Sequence, residues 1–165
     1  MKIRKYSKIL LVVMMVAPWF SLPLMKKVDF KRFLPASLLI ILVVRIVNFI
    51  AMKQRWWWWY VKIHPKLSGV FPFLWGPFFI GAIWILKFTY GHFFRFLIVN
   101  LVIDGFFSLF IVNWLQKLGV TSLVRMKRVH LLSIFTVEAL LLYALQFFRD
   151  KMVSKRAAAE IKKDS

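Results

Sequence analysis

The sequence contains no cysteine, which excludes disulfides, thiolate nucleophiles and cysteine-ligated metals. Acidic residues are scarce: six Asp and Glu stand against 25 Lys and Arg, for a formal charge of +19. Catalytic signatures are missing too. There is no HExxH, no GxSxG, no Cys–His pair and no phosphate-cradling Gly-rich loop, so hydrolase and nucleotide chemistry have no motif to rest on. Asp104 and Glu138 are the one pair of acids that would suit an aspartyl-type dyad, and their flanking residues add nothing to that reading. The basic start MKIRKYSK followed by an apolar run imitates a secretory signal, but no small-x-small cleavage site follows. Ala17 has Pro18 behind it, so the segment is expected to be retained.

Long hydrophobic runs are what the chain does have. Hydrophobic residues make up 61% of it, more than a soluble core of this size can hide. They fall into segments 9–25, 33–52, 67–86, 96–116 and 129–148. The fourth reads FLIVNLVIDGFFSLFIVNWLQ, without one basic side chain. At 1.5 Å per residue it spans roughly 31 Å, the thickness of a bilayer's hydrocarbon core. The pattern predicts an all-α polytopic helical membrane bundle over residues 1–148, with four or five spans, and a soluble basic tail over 149–165. About 60–75% helix follows from those span lengths. No internal repeat or linker divides the chain.

Breaks within the runs have positional meaning. Pro18 and Pro23 each remove a helix hydrogen bond, making the first segment a kinked span or an interfacial anchor. Pro35 suits a first helical turn. Pro72 and the pair Gly76-Pro77 interrupt the third segment. Freed backbone there would line a cavity, as in transporters, or simply mark a kink between packed helices; with no symmetry-related second break, packing is the preferred reading. Gly69 and Gly76, seven apart, predict one face that admits a neighbouring helix. Lys87–Arg95 reads as a tight turn pivoting on Gly91, with His92 at the water boundary, and Gly119 as a helix stop.

The stretch KQRWWWWYVKIHPK, residues 53–66, reads as a helix ended by His64-Pro65. Stepped at 100°, Trp56, Trp57, Trp58 and Trp59 ring its circumference. With Tyr60 they form an interfacial belt at headgroup depth, preferred over a cation cage. Lys53, Arg55, Lys62 and Lys66 reach anionic headgroups from there.

Charge placement sets the partners. All but one of the 25 basic residues lie outside the apolar segments, which fits membrane flanking better than nucleic acid. The expected partners are therefore the lipid bilayer with its anionic headgroups and another membrane protein, and no nucleic acid. Five crossings put twelve basic residues on each side, so the positive-inside rule does not orient that arrangement. If the first or the third segment fails to cross, the balance becomes 16 to 8 and favours both termini inside. A multi-pass protein of the cell (plasma) membrane with a cytoplasmic C-terminus is the expectation.

The exception among the basic residues is Arg45, which with Asp104 and Glu138 sits near mid-membrane. Each is costly alone in hydrocarbon. Arg45 and Asn48, three apart, predict a shared helix face. Asn100, Asp104 and Ser108, at i, i+4 and i+8, predict a polar stripe. Arg45 is expected to pair with one acid, with Asp104 preferred because that stripe surrounds it. The other acid is left protonated or hydrated, either as interhelical glue or as the minimal part of a proton- or cation-linked site.

The run HPKLSGVFPFLWGPFFIGAIWILKFTYG with the following NLVID helix resembles small multi-pass membrane proteins of unassigned function from Bacillus-type bacteria, over residues 40–148. The resemblance implies a polytopic membrane protein and supplies no activity, cofactor or site residue. The expected function is a non-enzymatic accessory or scaffold component without catalytic residues, cofactor or metal. The alternative is a small transporter or channel built on Asp104 or Glu138.

Overall fold

Apolar runs too long for a soluble core satisfy their backbone groups internally by becoming helices. A computed structural model describes residues 2–64 and 67–163; 80% of the chain is helical, above the expected share because the helices overrun the apolar segments. Among the described residues, five helices are long and apolar enough to cross a membrane. α1, Lys2–Val16, runs into a 3₁₀ stretch, Ala17–Leu24, that holds Pro18 and Pro23. α2 is Lys27–Lys53, α3 Phe71–Thr89, α4 Phe93–Lys117 and α5 Arg128–Lys163. The expected helix stop at Pro65 and the headgroup role of Lys66 fall outside the described residues.

Several expectations shift. α2 begins six residues before its apolar run, with Asp29 in its first turn, where a carboxylate suits the helix dipole. Pro35 is therefore interior rather than first-turn, and it deprives the Lys31 carbonyl of its i+4 donor. The Arg149 guanidinium of α5 approaches that carbonyl at 3.5 Å. The link between α3 and α4 is only Tyr90–His92, with Gly91 at φ +93°. Gly119, at φ +66°, follows the end of α4 as expected.

The helix predicted for the tryptophan run is instead a strand. β1, Trp57–Trp59, pairs antiparallel with β2, Thr121–Leu123, in the register Trp57↔Leu123 and Trp59↔Thr121. Four bulky β-favouring aromatics in a row find a partner once Gly119 turns the chain back toward them. Strand alternation replaces the ring: Trp59 is buried and Trp57 half-buried, while Trp58 and Tyr60 face outward.

The helices pack antiparallel in sequence order. Lys87 near the end of α3 meets Asp29 at the start of α2 at 3.8 Å, and Arg32 of α2 meets Asp150 of α5 at 2.6 Å. Phe96–Tyr143 and Phe107–Phe135 ring contacts join α4 to α5 along their length. α1 runs parallel to α3. A Cβ at Gly76 would lie 2.5 Å from the Met14 carbonyl, so only glycine lets the two backbones meet there. Trp19 donates its indole N–H to the Trp75 carbonyl at 2.8 Å, and Trp84 donates to Ser21 at 2.9 Å. Gly69 does not share this face; it precedes α3 and abuts the Trp59 side chain.

Candidate intramembrane acid site

Two stretches of π-helix bend the walls of the bundle, Leu74–Phe78 in α3 and Phe107–Ile111 in α4. The first holds Gly76-Pro77, where Pro77 has no N–H to give, and the helix widens by a residue. Both lie beside a gap between α2, α3, α4 and α5.

That gap is two cavities set end to end. One, of about 180 Å³, extends from mid-bundle to the β1–β2 strand pair and is walled by Trp57, Trp59, Phe73 and Phe107 among others. The other, of about 490 Å³, extends the opposite way, to Asn100 on α4 and Thr89 at the end of α3. They share Pro77, Phe78, Ile103, Asp104, Phe135 and Glu138. Each helix agrees on the order: α3, α4 and α5 pass from one cavity to the other at the same level. The two acids sit at the junction.

Glu138 is 3% exposed, and its Oε2 has no hydrogen-bond partner among the described residues. Asp104, less deeply buried, makes no ion pair among them. Among the described residues no Lys, Arg or His lines either cavity. Ionising both acids at once would set like charges against each other in a low-dielectric space.

Arg45 is not their partner. It lies on the exposed side of α2 and forms no ion pair among the described residues, which overturns the expected pairing with Asp104 or Glu138. Residues three apart on a helix differ by about 60° in direction, enough to put Asn48 inside and Arg45 outside. Asn48 is buried and committed to the loop after α2. It accepts the Trp57 indole N–H at 3.0 Å and donates to Ser68 at 3.1 Å.

The stripe on α4 does face inward. Asn100 and Ser108 are buried; the Asn100 amide donates to the Phe96 carbonyl at 2.8 Å, and Ser108 Oγ has no partner among the described residues. Of the aromatic belt, Trp57 and Trp59 line the smaller cavity, and the Trp59 indole N–H is buried without an acceptor among the described residues. Trp56 is half-buried; only Trp58 and Tyr60 point away. Pro77, Phe78 and Phe135 went unnoticed as junction residues. The Gly76-Pro77 pair was the available signal, and it serves both readings: Gly76 packs against α1 while Pro77 lines both cavities.

The fold and site define a five-helix bundle with the dimensions of a polytopic membrane protein and an acidic junction where two cavities meet. Comparison with protein-family models, curated proteins and solved structures finds no match for this chain.

Proposed function

We propose that this chain is a multi-pass protein of the cell membrane that moves protons or other cations, with Asp104 and Glu138 as the charge-handling groups. One observation carries the reading: two cavities from opposite ends of the bundle converge on two carboxyls, and among the described residues no basic side chain lines either. Ionisable groups inside a membrane bundle are costly, and they mark ion and proton pathways. The other two acids with described side chains both have basic partners. Asp29 lies 3.8 Å from Lys87, and Asp150 lies 2.6 Å from Arg32. In a chain with 25 basic residues, leaving the junction acids without one is a selective feature.

The accessory or scaffold role keeps one specific support. Arg45 is exposed on α2 beside Leu42, Ile46 and Phe49, themselves exposed, and a partner's membrane helix bearing an acid would complement it. Lipid with anionic headgroups is the surrounding partner in either reading, and nucleic acid is not. Full-length protein reconstituted in liposomes separates the two roles. Transport predicts proton or cation flux that Asp104→Asn and Glu138→Gln each abolish. Flux equal to that of empty liposomes would leave the accessory role.

A further inference from the structure

We infer that the junction binds a lipophilic organic cation, such as a quaternary ammonium with aromatic or alkyl substituents, using Asp104 and Glu138 as counter-charges and the aromatic walls as its cage. The inference rests on the cation-handling reading above and specifies what that site holds. Charge comes first. Glu138 is 3% exposed at the cavities' junction and Asp104 lines the same junction; among the described residues one Glu138 oxygen has no partner and neither cavity carries a basic side chain. A site of that sign is completed by a cation.

The walls decide which kind. Metal ions such as Ca²⁺ take about six to eight oxygen ligands, and no three His, Asp or Glu side chains gather to hold a metal among the described residues. The smaller cavity instead presents Trp57, Trp59, Phe73, Phe78, Phe107 and Phe135. Aromatic faces attract ammonium groups, more strongly where water is excluded. Size agrees as well. A cavity of about 150 Å³ accommodates benzene, so the 180 Å³ of the smaller cavity accepts one aromatic or trimethylammonium group. The 490 Å³ neighbour falls in the range of pockets that hold drug-sized molecules. A cation with a bulky apolar substituent would place its charge at the junction and its substituent in the larger cavity, where Trp84, Phe88 and Leu142 line the wall.

Equilibrium dialysis of the purified full chain in detergent, with benzyltrimethylammonium as probe, tests this. Saturable binding at one site is expected. Glu138→Gln and Asp104→Asn should each weaken it at least about tenfold, the usual cost of removing a desolvated counter-charge. Phe135→Leu should weaken it roughly fivefold, the scale of one cation–π contact, and the outward-facing Trp58→Leu should leave it unchanged. A second measurement needs only the wild-type protein. The probe should slow labelling of Glu138 or Asp104 by a hydrophobic carbodiimide, mapped by mass spectrometry, whether or not the acid variants fold. Absence of saturable binding, equal competition by the neutral isostere neopentylbenzene, or labelling unaffected by the probe each overturns the inference. Acid-dependent proton flux in liposomes together with any of those results would reject the organic ligand while leaving the transport reading intact.

Discussion

Glu138 is the side chain whose presence the packing explains least. Its neighbours along α5 are Val137 and Ala139, it is 3% exposed, and one oxygen lacks a partner among the described residues. An apolar replacement of similar size removes that desolvation cost. Glu138→Leu should therefore raise stability by roughly 1–3 kcal/mol while abolishing flux, the trade expected where a costly group is kept for function. Thermal unfolding in detergent checks it; a lowered Tm would reveal a partner for the carboxyl. Arg45 poses the opposite case, a charge that forms no ion pair among the described residues. Double-mutant cycles of Arg45→Leu with Asp104→Leu and with Glu138→Leu should show coupling below about 0.5 kcal/mol, as for groups that do not touch. Coupling of several kcal/mol would restore the pairing that mid-membrane depth suggested.

At the scale of elements, two devices shape the site, and each offers a measurement. The first is the strand pair that replaces the expected aromatic helix. Because alternate strand residues face opposite ways, Trp59 packs on Phe73 at 5.1 Å between ring centroids, while Trp58 is 43% exposed. In variants that retain a single tryptophan, headgroup-level quenchers should reach Trp58 efficiently and Trp59 poorly. Equal quenching of both would favour the ring of a helix. The second device is the break in α3. Gly76 lets α1 approach, and a side chain there meets backbone that cannot swing aside: the Met14 carbonyl at 2.5 Å and Met15 Cα at 2.7 Å. Gly76→Val should cost on the order of 2–3 kcal/mol as an overpacking change and loosen α1. Faster proteolysis of the α1–α2 junction at residues 25–27, alongside a lower Tm, is the expected outcome. Unchanged protection would mean that α1 is held mainly through the Trp19 and Ser21 hydrogen bonds of the 3₁₀ stretch that follows it.

For the molecule as a whole, one end of the bundle is fastened by charge and the other by the β1–β2 strand pair. Arg32, Asp150, Lys87 and Asp29 tie α2, α3 and α5 at the end where α5 leaves the bundle, and Gln146 supports Asp150 at 2.8 Å. From there α5 continues as helix to Lys163, carrying Lys151, Lys155 and Arg156. The alternation of the five helices brings that exit, residues 25–27 and the Tyr90–His92 turn to one end of the bundle. The basic count is even over five crossings, so the prediction rests on the tail alone: its six Lys and Arg close behind the last apolar run put that end in the cytoplasm. A reporter active only outside the cytoplasm, fused after Ser165, should be silent; strong activity would reverse the orientation.

Composition and run length alone determined that the chain is helical and sized for a membrane, because twenty consecutive apolar residues have few other ways to satisfy their backbone. Periodicity also placed Asn100, Asp104 and Ser108 on one inward face, since a four-residue step keeps nearly the same direction on a helix. Other features needed partners that lie far away in sequence. The tryptophan run became a strand only because residues 121–123 return to pair with it, and local propensity for a bulky aromatic run does not announce a mate about sixty residues on. Arg45 and Asn48 parted company because the bundle's edge falls between them, a boundary drawn by α3 and α5 rather than by α2. The meeting of two cavities at Asp104 and Glu138 was likewise decided by tertiary structure. It depends on four helices meeting at one level, two of them interrupted there at Pro77 and at the π-helical stretch of α4, and no single segment encodes where its neighbours lie.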